Sequence, residues 1–282
     1  MITGRTALYG VIGSPVGHSR SPEMQNAAFA DARIDATYVA LLVPPERVAE
    51  AVAGAHALGF QGLNVTIPHK QAIPPLCVHV DPVATAVGAV NTLRRAATGW
   101  EGFNTDAPAC LAHLEAAGVA RGARALVLGA GGAARASAWA LLRAGVTVRV
   151  AARNGDAARE IAKGLGPATA PGAAIPQVIP WSGLAAECRA ADVVVNATAV
   201  GLPGRQAALP DVTFRDGQVA VEWVTGQTAF VRTARAAGAR VVTGEQLLVR
   251  QGALAFTLWT GRPAPEAVMT AAIAKPAPGS KP

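Results

Sequence analysis

The sequence predicts an α/β protein of two domains, and three observations carry that prediction. At 282 residues the chain exceeds one typical domain and has ample length to bury a core. Short apolar runs rich in β-branched residues alternate with longer segments whose apolar residues recur at helical spacing, which implies a mostly parallel sheet. A glycine cluster, LGAGGAAR, stands between one such run and an Ala-rich segment in the middle of the chain.

Each element follows from its residues. TALYGVIG (6–13) is an apolar strand ending in glycine, and SPEMQNAAFADARI (21–34) is a helix opened by Ser21 with Pro22 at its first position, where a missing N–H costs nothing. ATYVALLV (36–43) is a second strand, PERVAEAVAGAHAL (45–58) a helix, GFQGLNVTI (59–67) a third strand and AVNTLRRAATGWEGFN (89–104) a hairpin. The helix DAPACLAHLEAAG (106–118) marks the domain boundary, so the first domain covers 1–105 and the second 106–260. Residues 124–145 read as strand, glycine turn and helix, and VTVRVAAR (146–153), DVVVNAT (192–198), QVAVEWV (218–224) and ARVVTG (239–244) supply further buried strands. A long helix covers about 245–260, a shorter one 264–274, and the polar tail 276–282 has nothing to bury and reads as disordered.

Composition excludes several classes. Hydrophobic residues make up 51% of the chain, yet no uninterrupted apolar run reaches the roughly 18 to 20 residues that span a bilayer. The start MITGRTALYG lacks the charged and apolar regions of a secretory signal, so a cytoplasmic protein without membrane contact is expected. Cys77, Cys110 and Cys188 are widely spaced, with no CxxC and no histidine at ligand spacing, and read as reduced structural thiols rather than metal ligands. The net charge of +7 comes from scattered arginines without interleaved aromatics, which favours anionic small molecules over nucleic acid.

The glycine cluster carries chemistry. Gly129, Gly131 and Gly132 follow a strand and open a helix, where the chain must turn tightly and bring backbone N–H groups against a pyrophosphate. Ala134 takes the last small position of this GxGxxA pattern. At the next strand end an NAD site carries Asp or Glu for the ribose; this chain has Arg153, which suits a 2′-phosphate and so NADP.

A dinucleotide domain names the cofactor and not the substrate. Ser19 and Ser21 place two hydroxyls at a helix start, where free N–H groups help bind a carboxylate. NVTIPHK offers Asn64, Thr66 and Lys70, GAVNT offers Asn91, and GFNTDA offers Asp106. A carbonyl reduced by hydride needs a proton donor, and a lysine supported by an aspartate can supply it.

Together these motifs resemble the shikimate dehydrogenase family. SRS, NVTIPHK, GAVNT, NTD, GAGGAA, NAT followed by Gly201, and LLVRQGALAFTLWTG stand in the family's order from about Tyr9 to Gly261. The resemblance implies an N-terminal α/β substrate-binding domain, a C-terminal Rossmann NADP-binding domain, a cleft between them, and a helix at 261–275 returning to the first. It implies a carboxylate clamp at Ser19 and Ser21, catalysis by Lys70 with Asp106, and ring-hydroxyl contacts from Asn64, Thr66, Asn91 and Gln251. For the cofactor it implies Gly129, Ala130, Gly131, Gly132, Ala133, Arg153, Thr198, Val221 and Gly244. The implied activity is reversible NADP-dependent reduction of 3-dehydroshikimate to shikimate, in aromatic amino acid biosynthesis, by a monomer or homodimer.

The chain departs from the family pattern around the nicotinamide and cofactor wall, at Ala152, Leu202 and GEQLL (244–248), at Ala107 after Asp106, and most in one segment. Anchored on Thr228, the segment usually reading D-x-x-Y-x-P-x-x-T has Ala220 for the aspartate, Trp223 for the substrate-facing tyrosine and Thr225 for the proline. An indole offers only an N–H donor and more bulk, which alters the pocket. A paralogue acting on quinate, an aminated shikimate or a related ring acid is the alternative enzyme, and an NADP-binding sensor the alternative without chemistry.

Overall fold

The structure, a computed structural model, describes residues 2–165, 169, 174–202, 204–205, 208–209 and 211–274; the tail expected at 276–282 lies outside them. The chain forms two compact units, one containing residues up to Thr85, Ala89–Thr105 and the chain from Leu248 onward, the other Ala86–Gly88 and Asp106–Leu247.

The first unit begins β1 (Ala7–Gly13), α1 (Ser21–Asp31), β2 (Ala36–Leu42), α2 (Val48–Ala57) and β3 (Gly62–Val65). It continues β4 (His79–Val80), α3 (Pro82–Val87, at the division), β5 (Thr92–Arg95) and β6 (Trp100–Phe103). Its sheet has the order β2-β1-β3-β5-β6-β4, with β1 parallel to β2 and β3, and β5 antiparallel to β3 and β6. The hairpin expected from residues 89–104 is the β5–β6 pair. Ser21 is the first residue of α1 rather than its cap: Arg20 occupies the cap position, and its side chain makes no cap hydrogen bond.

The second unit contains α4 (Asp106–Ala116), β7 (Arg124–Leu128), α5 (Gly132–Arg143), β8 (Thr147–Ala151), α6 (Gly155–Gly164) and β9 (Gln177–Ile179). After these come α7 (Leu184–Ala190), β10 (Val193–Asn196), β11 (Val219–Glu222), α8 (Ala229–Ala236) and β12 (Arg240–Val242). All its strand pairs are parallel, in the order β9-β8-β7-β10-β11-β12. From β7 the chain winds one way to β9 and then restarts at β10 on the other side, so the switch of direction lies between β7 and β10. In open parallel sheets ligands bind at such a switch point, at the carboxyl ends of the strands.

Two helices close the chain, α9 (Gly244–Thr260) and α10 (Glu266–Ala274). The return to the first unit begins at Leu248, inside α9, earlier than the expected 261. The physical reason is packing: Val249, Ala253 and Phe256 share one core with Tyr9, Met24, Phe29, Met269 and Ile273. Burial of each large apolar side chain contributes about 1.5 to 3 kcal/mol, and the chain follows that gain. Among the described residues no helix is long and apolar enough to cross a membrane.

Candidate functional site

The polar residues singled out in the first half of the sequence converge inside the first unit. Asn64 sits in β3 between Val11 of β1 and Thr92 of β5. Its Oδ1 accepts from the Tyr38 hydroxyl at 2.7 Å, and its Nδ2 donates to Thr92 Oγ1 at 3.1 Å and to the Asn91 carbonyl at 3.3 Å. Asn91 Oδ1 accepts from the Thr105 N–H at 2.7 Å, while Asn91 Nδ2 donates to Thr105 Oγ1 at 2.9 Å. Thr105 Oγ1 in turn lies 3.5 Å from Gln251 Oε1 of α9. At the other end Ser21 hydrogen-bonds Tyr38, whose phenol is pushed well above its ordinary pKa by burial and so stays protonated. All these side chains are buried, and buried polar groups bonded to one another hold single orientations.

The remaining residues of that group flank the chain of hydrogen bonds. Strand β3 stops at Val65, so Thr66 lies just beyond it, its N–H donating to the Ile12 carbonyl and its carbonyl accepting from the His69 N–H. Lys70 stands in the helical turn His69–Gln71, partly buried, and its carbonyl accepts from the Val90 N–H at 2.9 Å, immediately before Asn91. His69 is buried with Nε2 2.8 Å from the Val43 carbonyl, an anchoring contact. Ser19 Oγ accepts from the Ser21 N–H at 3.3 Å. Asp106, in the second unit, is the first residue of α4 and is buried.

In the second unit the glycine turn lies at the switch point. Gly129 has φ +112°, and a Cβ there would stand 2.6 Å from the Ala197 carbonyl, so only glycine lets the turn after β7 pass the end of β10. Gly131 is the cap residue of α5, whose first turn no side chain caps, and a Cβ on it would meet nothing within 4 Å. The uncapped N–H groups and open space at the positive helix end fit a pyrophosphate through Gly129, Ala130, Gly131, Gly132 and Ala133. Arg153 is exposed just past the end of β8, the strand beside β7, which fits a 2′-phosphate.

The ends of β10 and β11 are tied together by a residue that sequence reasoning missed. Glu222 closes β11 opposite Asn196, the last residue of β10. Its carboxylate accepts from Asn196 Nδ2 at 3.0 and 3.1 Å, from Thr228 Oγ1 at 2.7 Å and from the Val224 N–H at 2.9 Å. Burial pushes its pKa up to about 7 against the pull of these donors. Asn196 Oδ1 accepts from the Thr198 hydroxyl at 2.7 Å and from its N–H at 3.1 Å, which shapes the turn carrying Thr198. The acid of this segment is therefore Glu222, and Ala220, aligned with the family's aspartate, is a core residue of β11. An acid ending an apolar strand was the available signal.

Two expected contact residues stand differently. Val221 is 1% exposed inside β11, paired with Val195 and Val242, so its side chain belongs to the core. Trp223 spends its one donor within the protein, on Ser137 Oγ at 2.8 Å. Gly244 opens α9 where a Cβ would stand 2.5 Å from the Val224 carbonyl, which requires glycine beside the loop after β11.

The chain is similar to known proteins along nearly its whole length. Residues 11–93 match the shikimate dehydrogenase substrate binding domain, and residues 244–274 the shikimate 5′-dehydrogenase C-terminal domain. The chain is 65% identical over 273 residues to shikimate dehydrogenase (NADP(+)) of Anaeromyxobacter sp. (strain K), covering 97% of this chain and 98% of that protein. A crystal structure of shikimate dehydrogenase in complex with NADP+ superposes with a TM-score of 0.87 at 33% identity, covering 97% of this chain and 96% of that one. The enzyme of Thermus thermophilus in complex with NADP(H) and shikimate gives a TM-score of 0.80 at 36% identity, covering 95% of this chain and 98% of that one.

Proposed function

Because this chain belongs to the shikimate dehydrogenase family, we propose that it is an NADP-dependent oxidoreductase interconverting shikimate and 3-dehydroshikimate. The observation that supports this best is the buried hydrogen-bond chain from Ser21 through Tyr38, Asn64, Thr92, Asn91 and Thr105 to Gln251, adjoining Lys70 in one unit. In this reading the first unit is the substrate-binding domain and the second holds NADP, which supplies or accepts the hydride.

The chain's own residues do the rest. Ser19 and Ser21 bind the substrate carboxylate at the start of α1. Asn64, Thr66, Asn91 and Gln251 fix the ring hydroxyls, the side chains of Asn64, Asn91 and Gln251 being preoriented by the network. Lys70 gives its proton to the carbonyl oxygen as that oxygen becomes a hydroxyl, and takes it in the reverse direction, with Asp106 supporting the ammonium. Backbone N–H groups from Gly129 to Ala133 hold the pyrophosphate, Arg153 the 2′-phosphate, and Thr198 and Gly244 border the nicotinamide. Trp223 contributes the face of its ring, since its N–H is engaged by Ser137. The setting is the cytoplasm, as a monomer or homodimer.

The test is a panel of shikimate, quinate and an aminated shikimate, each assayed by NADPH absorbance. The expected result is the highest kcat/KM for shikimate with NADP. A preference for quinate, or thermal stabilisation by NADPH with no turnover of any ring acid, would replace this reading.

A further inference from the structure

We propose that Glu222 is a positioning residue for dinucleotide binding, its carboxylate holding the loop after β10 and the loop after β11 in one arrangement. The proposal rests on the reading of the second unit as the NADP site. One side chain reaches both loops: through Asn196 it fixes the turn of Thr198, and through the Val224 N–H it fixes the chain that passes Gly244. Thr228 Oγ1, the third donor, also accepts from the Val231 N–H as the cap of α8, so the start of that helix is referenced to the same carboxylate. These loops leave the carboxyl ends of β10 and β11, on the side of the sheet where the switch point places a ligand.

Every one of these bonds uses Glu222 as acceptor. A protonated carboxyl has an O–H where the ionised group has a lone pair, so protonation opposes a hydrogen already pointing at it: an N–H partner is released, or the Thr228 hydroxyl turns round to accept, and the pattern of bonds changes. Burial acts most strongly on Glu222; the polar groups that act on it are the side chains of Asn196 and Thr228 and the backbone N–H groups of Trp223 and Val224, all neutral, and among the described residues no charged side chain contributes. The arrangement of the two loops therefore follows the ionisation of this one residue, and affinity for the dinucleotide follows the arrangement.

The experiment measures the NADPH dissociation constant by fluorescence from about pH 5.5 to about pH 8.5 for the parent and Glu222→Gln, reading the ratio variant to parent. The cofactor's own phosphate titration cancels in that ratio. The expected ratio is on the order of ten at the alkaline end, falling toward one at the acid end, with the KM for shikimate changed less than about twofold. A ratio constant with pH, or equal to one throughout, overturns the proposal. Thr228→Val covers the case in which Glu222→Gln does not fold. It keeps the carboxylate but removes one donor to its charged form, so its loss of affinity on acidification sets in at higher pH than in the parent. Coincident profiles for Thr228→Val and the parent would also overturn the proposal. Absence of NADPH binding by the parent at any pH would overturn the cofactor reading and this inference together.

Discussion

The indole N–H of Trp223 donates to the Ser137 hydroxyl at 2.8 Å, and that hydroxyl donates to the Ala133 carbonyl at 2.9 Å, one turn back along α5. The loop after β11 is thereby pinned to the helix that the glycine turn opens. Ser137→Ala leaves a partly buried N–H without its partner, which costs about 1 to 3 kcal/mol. The urea midpoint should fall accordingly; an unchanged midpoint would show that the bond contributes nothing to stability.

Lys70→Ala should lower kcat by on the order of a hundredfold or more, the usual size of general acid and base catalysis, with the KM for shikimate changed much less. Steady-state kinetics with saturating NADP decides this. A near-normal kcat would remove Lys70 from the proton transfer.

Arg153 is exposed at the end of β8 and makes its proposed contact only with the 2′-phosphate. Arg153→Ala should raise the KM for NADP by on the order of tenfold, the worth of one hydrogen bond between charged groups, and leave the KM for NAD nearly unchanged. Equal effects on both cofactors would place the arginine elsewhere in binding.

Glu222 also makes stability depend on pH. Its folded pKa of about 7 lies above the ordinary 4.5, so the folded state holds the proton more tightly than the unfolded chain. The contribution is fully present below about pH 4.5 and is lost as the pH rises through about 7, amounting to at most about 3 kcal/mol. Thermal melts of Glu222→Gln across that window should lack the part of the parent's downward slope that this residue supplies. Parallel curves for the two proteins would mean the carboxyl titrates normally.

The elements legible in the sequence are those with a period or a fixed turn. The β1, β7 and β10 runs, the Ala-rich α5 and the glycine turn before it declare themselves through local pattern alone. Strands β4 and β9, of 2 and 3 residues, are too short to show alternation, and helices α3 and α7, of 6 and 7 residues, are too short to show a helical period. Within the candidate site, Lys70, Asn64 and Arg153 could be read from motif and position. Tyr38, Thr92 and Glu222 could not, because a tyrosine, a threonine or a glutamate in a strand is chemically informative only once its partner is known.

Spacing and residue type alone established the α/β grammar, the dinucleotide turn and the motif order that marks the family, since each depends on residues close together in the chain. Folding decided the rest. Tyr38 meets Asn64 because β2, β1 and β3 lie side by side, and Asn91 joins the chain to Thr105 and Gln251 because β5 pairs with β3 while α9 packs its apolar residues with those of α1. Glu222 faces Asn196 only through the register of β11 on β10. Such contacts join residues far apart in sequence, and strand order, register and core packing, none of which a local pattern encodes, choose the partners.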